Sequence, residues 1–153
     1  MAIDEKLAEL GIVLPEAAAP AGSYVPVRIA GPLAYVSGTL PVVGGHVKAA
    51  GLVGGDVSPK DAYDLARLCV VNGLAALKAA VGTLDRVRGI VMVQGFVQVA
   101  PGFTEVPKVI NGASDLLVAL FGEAGRHARF AVGVAALPMN APVEVAFTAE
   151  IIP

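Results

Sequence analysis

Cysteine, histidine and tryptophan are almost absent from this sequence. The single cysteine, Cys69, excludes an intrachain disulfide and a Cys-x-x-Cys redox pair. The two histidines, His46 and His127, lie far apart in the chain, which together with the lone cysteine argues against a dedicated zinc site. This composition fits a protein of the reducing cytoplasm with no metal centre.

Charged residues are also scarce. They make up 16% of the 153 residues, whereas about 25% is usual in a globular domain. Eleven basic and 13 acidic residues leave a net charge of −2, so the chain has no electrostatic footprint for nucleic acid or for an anionic membrane. So few charges predict that part of the surface is buried against other copies of the chain, and we therefore expect an oligomer.

Long uninterrupted apolar runs are missing as well, although 56% of the residues are hydrophobic. Glycine, proline, asparagine or glutamine breaks the uncharged stretches, as in GPLAYVSGTLPVVGG, so no segment offers the roughly 20 apolar residues of a membrane span. The acidic start MAIDEKLAELGIVLP has no apolar core or cleavage site, and we expect no signal peptide. We expect a single domain over residues 1–153, with residues 1–20 as an N-terminal extension.

The order of the predicted elements indicates an α+β fold. Ser58 and Pro59 suit the start of a long helix that Gly82 can end. The other expected elements are a short helix at DEKLAELG, strands at YVPVRIAG, PLAYVSGTLPV and RVRGIVMVQGFVQVA, a second long helix over about residues 105–123, and closing strands near 128–137 and 142–151. Both faces of the RVRGIVMVQGFVQVA strand are apolar enough to be partly covered. This order predicts one mixed β-sheet with two helices packed on one face.

Each of the two apolar closing strands carries a charged residue close to its start. Arg129 is followed by small residues, so its guanidinium would lie over a hollow, and Glu144 stands in the last strand. If these strands form a hairpin that turns at PMNA, Glu144 lies opposite Gly133, on the face of Arg129. The two charges are then on the order of 13 Å apart, too far for an easy ion pair. A ligand carboxylate is the better partner for this guanidinium, because the planar fork suits a bidentate grip. His127 is expected to point to the opposite face, in a surface or structural role.

Three stretches of the chain resemble the reactive-intermediate deaminase family, also called Rid or YjgF. ARFAVGVAALPMNAPVEV, residues 128–145, resembles the family's C-terminal signature of a small residue, Arg, an apolar strand, a turn, an aliphatic residue and Glu. YVSGTLP, residues 35–41, resembles its early Ser-Gly-x-aliphatic-Pro element, and KVINGASDLL, residues 108–117, resembles the helix that carries a pocket Asn. The longer N-terminus is similar to the chorismate mutase-like subgroup, which bears the endoribonuclease L-PSP label.

This resemblance implies a chorismate mutase-like fold, a homotrimer, and three sites in the clefts between subunits. The implied activity is hydrolysis of 2-imino acids, formed from dehydratase-derived enamines, to 2-keto acids and ammonia. No metal or organic cofactor is implied. The expected partners are two further copies of the chain and a small carboxylate or imino-acid ligand between subunits.

The family's functional residues map onto positions of this chain. Arg129 would bind the substrate carboxylate, and Glu144 would position or activate the attacking water. Residues expected to line or close the cleft are Tyr24, Ser37, Gly38 and Asn111. The chain departs from the family at Ala131, where many deaminases have Cys, and at Ala146, where a second acidic residue is common.

Three other functions are weighed against imine hydrolysis. A non-catalytic trimer that binds a small carboxylate and regulates a partner would need Arg129 but not Glu144. A mutase, as the subgroup's name suggests, would have only one Arg and one Glu for a dianionic substrate, which is a thin set of groups for that reaction. Ribonuclease activity is opposed by the net charge, the absence of a basic patch and the lack of a paired histidine acid and base.

Overall fold

The computed structural model describes residues 1–20 and 22–153; Ala21, in the Pro/Ala-rich connection before the first strand, lies outside them. Within the described residues the α-helices are Ile3–Glu9 (α1), Pro59–Val81 (α2) and Val106–Phe121 (α3). The strands are Val27–Ala30 (β1), Leu33–Thr39 (β2), Val42–Val43 (β3), His46–Val47 (β4), Val87–Gln98 (β5), Ala128–Val134 (β6) and Val143–Ile151 (β7). Single 3₁₀ turns lie at Leu84–Arg86, Gly122–Gly125 and Pro138–Asn140.

Five of these strands form one mixed sheet in the order β1-β2-β7-β5-β6. Neighbours are antiparallel except β5 and β6, which run parallel and are connected through α3. A parallel pair needs such a crossover, because a tight turn can only return the chain antiparallel. β3 and β4 pair separately as a small hairpin. The α+β class and the mixed sheet are confirmed.

The predicted hairpin between the two closing strands is wrong. β5 lies between β6 and β7 and pairs with both of them. β5 has the run of valines that suits a central position, and Val93 and Val97 are fully buried in it. β6 is left as an edge strand, with the more exposed burial pattern of the two closing strands.

Gln98 shows how the chain crosses from β6 to β7. It is the last residue of β5, it is buried, and its side-chain Oε1 accepts from Leu137 N at 2.7 Å. Its Nε2 donates to Asn140 Oδ1 at 2.8 Å and to Gly51 O at 3.0 Å. Met139 and Asn140 have φ angles of 58° and 55°, a left-handed conformation that Asn tolerates and that is costly for Met. The hydrogen bonds of Gln98 therefore hold a strained connection across the end of β5.

Both long helices pack on one face of the sheet. Ser58 caps α2 as predicted: its Oγ accepts from Asp61 N at 3.1 Å, and Pro59 begins the helix. The two helices meet so closely that a Cβ on Gly112 of α3 would lie 2.0 Å from Tyr63 O of α2. Only glycine permits that approach. The core lies between these helices and the buried face of the sheet.

The other face of the sheet has no covering element within the described chain. Tyr35, Phe130 and Val132 are 45%, 40% and 40% exposed there, and Phe96 contacts Phe130 edge-to-face with ring centroids 5.8 Å apart. The register of β5 shifts between Ile90 and Met92, and Val91, at this irregularity, is 44% exposed on this face. We call this surface, formed by residues 35, 91, 96, 130 and 132, the open face. One chain thus covers only one face of β5.

The predicted N-terminal extension begins with a helix that joins the core. Ile3 and Leu7 of α1 are buried, and Lys6 Nζ donates to Leu120 O at 2.9 Å, close to the end of α3. Asp85 accepts a hydrogen bond from the backbone N of Ile3 at 2.9 Å. Among the described helices, none has the length and apolar content to cross a membrane.

Candidate active site

Arg129 lies on the edge strand β6 and points toward α3. Its Nη1 donates to Ser114 Oγ at 3.0 Å and its Nη2 donates to Pro107 O at 3.2 Å. Asn111 and Ser114 lie three residues apart, on one face of α3, and line a pocket of about 220 Å³ with Arg129 and His127. The structure therefore brings Arg129 and Asn111 together, as expected for two residues of one site. We call Asn111, Ser114, His127 and Arg129 the Arg129 half-site.

His127 completes a chain of hydrogen bonds that ends at Arg129. Its Nδ1 lies 2.7 Å from Gly125 O, which can only accept, so the proton of the neutral ring is on Nδ1. Its Nε2, 2.9 Å from Ser114 Oγ, then accepts from the Ser114 hydroxyl. The Ser114 oxygen is left to accept from Arg129. Ser114 thus donates to His127 and accepts from Arg129, and the guanidinium is held in one orientation.

Burial lowers the pKa of His127, and the nearby positive charge of Arg129 lowers it further, whereas the bond to Gly125 opposes both effects. A neutral imidazole is the form that accepts from Ser114. The prediction that His127 faces away from Arg129 is wrong, because both side chains reach Ser114. Their spacing of two residues was the available signal, since residues i and i+2 of an extended segment share a face. Ser114 carried no such signal in the sequence.

Glu144 stands on β7 next to β2, and Gly38 is its closest glycine neighbour. A Cβ built on Gly38 would lie 3.1 Å from the Glu144 carboxyl carbon and 3.1 Å from Oε1, so a larger residue there would crowd the carboxyl group. Burial raises the pKa of Glu144. Among residues 1–20 and 22–153, none donates a hydrogen bond to this carboxylate or lies within ion-pair distance of it. Glu144 is thus a half-buried acid with its hydrogen-bonding capacity unused.

Ser37 and Tyr24 lie close to Gly38. Ser37 Oγ donates to Val25 O at 2.7 Å and Ser37 N donates to Pro26 O at 2.9 Å, which ties β2 to the segment that carries Tyr24. Tyr24, half exposed, lines a cavity of about 810 Å³ together with Ser37 and Gly38. We call Tyr24, Ser37, Gly38 and Glu144 the Glu144 half-site.

The two half-sites do not meet within one chain. Arg129 pairs with Val93 of β5, and Glu144 pairs with Phe96 of the same strand. Paired residues on neighbouring strands point to the same face of a sheet, and alternate residues along a strand point to opposite faces. Because positions 93 and 96 differ by an odd number, Arg129 and Glu144 point to opposite faces. Arg129 accordingly contacts α3, whereas Glu144 shares the open face with Phe96 and Phe130. The prediction that Arg129 and Glu144 share a face is wrong.

The charges of the half-sites are also not neutralised internally. The ion pairs of the described residues join Lys78 to Asp4, Arg88 to Glu150, Lys108 to Glu105 and Arg126 to Glu123, all on the surface. None involves Arg129 or Glu144, so an ion pair between these two does not explain their presence. In the described part of the chain no group of three His, Cys, Asp or Glu side chains is placed to hold a metal ion.

The chain is similar to known proteins over almost its whole length. The sequence profile of the family described as "YjgF/chorismate_mutase-like, putative endoribonuclease" matches residues 4–151. Protein TCP17 of Trypanosoma cruzi is 47% identical over 142 residues, which cover 91% of this chain and 88% of TCP17. The structure of Atu1372 from Agrobacterium tumefaciens, a protein of unknown function, is 49% identical, covers 98% of this chain and 92% of its own, and has a TM-score of 0.91. A Shewanella oneidensis protein with the endoribonuclease description is 36% identical, with 99% and 100% coverage and a TM-score of 0.95.

Proposed function

Since this chain belongs to the YjgF/chorismate mutase-like family, we propose that it hydrolyses 2-imino acids to 2-keto acids and ammonia. The observation that carries the proposal is Glu144, a half-buried carboxyl beside Gly38 whose oxygens have no protein partner among the described residues. A charged group in such a position lowers stability unless a ligand or water uses it. A carboxyl of this kind can instead exchange protons with a reacting molecule.

Arg129 supplies the binding group for the substrate carboxylate. Ser114 and Pro107 occupy two of its N–H donors, and a guanidinium has five. The remaining donors form a fixed fork that can bind two carboxylate oxygens at once. Because the guanidinium is already held by α3, little conformational entropy is lost when the ligand binds.

Glu144 supplies the proton transfers. Glu144 takes a proton from a water as the water oxygen bonds to C2 of the imino acid, and it passes that proton to the imine nitrogen, which gives a carbinolamine. Glu144 then moves the hydroxyl proton of the carbinolamine to its amino nitrogen, the C2–N bond breaks as the keto group forms, and the nitrogen leaves as ammonia. The raised pKa of Glu144 favours this exchange, because an acid whose pKa lies nearer to neutrality gives and takes protons more readily.

A second copy of the chain completes the site. Arg129 and Glu144 lie on opposite faces, so a ligand that contacts both must lie between two chains. The open face provides an apolar surface for this contact, since Tyr35, Phe130 and Val132 are all 40% or more exposed there. In a homotrimer, the Arg129 half-site of each copy lies against the Glu144 half-site of the next, which gives three equivalent sites.

The test is the release of 2-keto acid from imines made in situ by an amino-acid oxidase, with and without the protein. We expect Glu144→Gln to lose about 10²–10⁴-fold in kcat while it still binds pyruvate in a calorimetric titration. Glu150→Gln is the matched control, because Glu150 is a partly buried carboxylate on the same face of β7 that lies beside Arg88 and away from Gly38. It should keep wild-type activity. Absence of turnover by the wild type on every imine, with pyruvate binding intact, would instead support a non-catalytic carboxylate-binding protein.

A further inference from the structure

The cavity of about 810 Å³ beside the Glu144 half-site is far larger than a small imino acid needs. Ligand sites of roughly 300–1,000 Å³ enclose drug-sized molecules. The cavity lies between the segment before β1, the β2–β4 region and α2. Its wall is mostly aliphatic and includes Val13, Pro15, Leu40, Leu68, Val71 and Ala76.

Three of the polar side chains on this wall, Ser37, Thr39 and Asn72, donate hydrogen bonds to backbone carbonyls of the chain. Asn72 Nδ2 donates to Leu40 O and to Val42 O, both at 3.0 Å. Ser37 Oγ donates to Val25 O, and Thr39 Oγ1 donates to Ser37 O at 3.0 Å. Glu16 is the only charged side chain among the described residues that line the cavity, and it would repel a second carboxylate. The wall therefore suits an apolar group and disfavours an anionic one.

The cavity adjoins the proposed site of reaction, although Glu144 itself is not among the residues that line it. Ser37 and Gly38 belong both to its wall and to the Glu144 half-site. Gly38 lies beside the Glu144 carboxyl, since a Cβ built on this residue would be 3.1 Å from the carboxyl group. A substrate whose C2 lies beside Glu144 thus has the cavity within reach of its side chain.

We propose that this cavity binds the substrate side chain, and that the protein prefers 2-imino acids with a large apolar side chain, branched or aromatic, over 2-iminopropionate. The proposal rests on the proposed imine hydrolysis for its chemistry, but the cavity itself is a property of one chain. Val13 and Pro15 come from the N-terminal segment, so this segment takes part in selecting the substrate.

The first experiment compares imines generated from alanine, leucine and phenylalanine by an amino-acid oxidase. Transfer of a buried apolar side chain from water is favourable enough for a gain of about 10- to 100-fold in kcat/KM. We expect this gain for the leucine and phenylalanine imines over 2-iminopropionate. An equal or higher kcat/KM for 2-iminopropionate would overturn the proposal.

A second experiment narrows the cavity. Ala76→Phe places a ring in it and should lower kcat/KM for the leucine imine at least about tenfold, with 2-iminopropionate little changed. Ala80→Phe is the matched control, because Ala80 is exposed on the last turn of α2 and does not line the cavity. Equal losses for both substrates in Ala76→Phe would show that the cavity does not hold the side chain.

The affinities for the keto-acid products test the side-chain cavity independently of imine hydrolysis. If no imine is hydrolysed, the proposed function fails, but affinities for pyruvate and 4-methyl-2-oxopentanoate still report on the cavity. The larger keto acid should bind at least about tenfold tighter, and Ala76→Phe should remove the difference. Equal affinities in the wild type would contradict the proposal whatever the catalytic result.

Discussion

Arg129 and Glu144 project from opposite faces of one sheet, with β5 between their strands. Neither has an ionic partner among the described residues. The two charged groups that the sequence places in neighbouring apolar runs are thus kept apart by the fold. Their joint action on one ligand requires that one comes from each of two chains.

Mixing two inactive variants should restore activity. Consider random trimers formed from equal amounts of Arg129→Ala and Glu144→Gln. A site is complete when its Arg129 comes from a Glu144→Gln chain and its Glu144 comes from an Arg129→Ala chain, which happens in about one site in four. Co-expressed or co-refolded variants should therefore show about a quarter of the wild-type rate, whereas each alone shows almost none. A mixture as inactive as its components would mean that both residues act within one chain.

A charge on the open face should prevent assembly. Light scattering of the wild type should report about three times the mass of one chain. The ring of Phe130 packs against Phe96 with centroids 5.8 Å apart, so Phe130→Glu puts a carboxylate in this apolar contact. Burial of an unpaired charge between two chains costs about 3–5 kcal/mol. We expect a folded monomer with no turnover. Leu10→Glu, at the exposed end of α1, should remain trimeric; monomeric wild type at micromolar concentration would contradict the assembly.

Ser114→Ala should weaken carboxylate binding without a comparable loss of stability. The hydroxyl orients Arg129 and accepts its Nη1 hydrogen bond, and a hydrogen bond to a charged group contributes about 1.5–3 kcal/mol. Titration with pyruvate should show a Kd raised about tenfold or more. Ser58→Ala is the contrasting variant, since it removes the α2 cap, costs about 1 kcal/mol of stability and should leave the Kd unchanged. An unaltered Kd in Ser114→Ala would show that Arg129 needs no such support.

His127 should make the free energy of unfolding depend on pH. Because burial lowers its pKa in the folded state, the unfolded chain binds the proton more readily. The stability contribution of neutral His127 is complete above the ordinary imidazole pKa of about 6.5 and is lost as the pH falls from there through the lowered value. Melting curves from pH 7.5 to pH 5 should show this decline, and His127→Gln should flatten it. His46→Gln changes an exposed residue of the β3–β4 hairpin and should keep the wild-type slope; a wild-type slope in His127→Gln would assign the decline to other groups.

Local chemistry made much of the fold predictable. The start of α2 follows from Ser58 and Pro59, which satisfy and pre-organise the first turn whatever the rest of the chain does. The end of β1 and the start of β2 follow from Gly31, whose φ of 58° turns the chain. The family itself was recognisable from short stretches, and the match over residues 4–151 bears this out.

Strand pairing and the division of the site were decided by the tertiary structure. Alternation within a strand tells which residues share its face, but it does not tell which strand lies beside it, because pairing depends on contacts between distant residues. β5 lies between β6 and β7, where its valines are buried at the centre of the sheet. Gln98 hydrogen-bonds to the β6–β7 connection where this connection passes across the end of β5. Because β5 separates the two strands, Glu144 lies on the opposite face of the sheet from Arg129 and not on the same face as predicted. The sequence by itself determined the helices, the capping residues and the residue types of the site, because these depend on neighbours in the chain; only the folded sheet decided that Arg129 and Glu144 cannot meet in one chain, because that depends on which strands pack together.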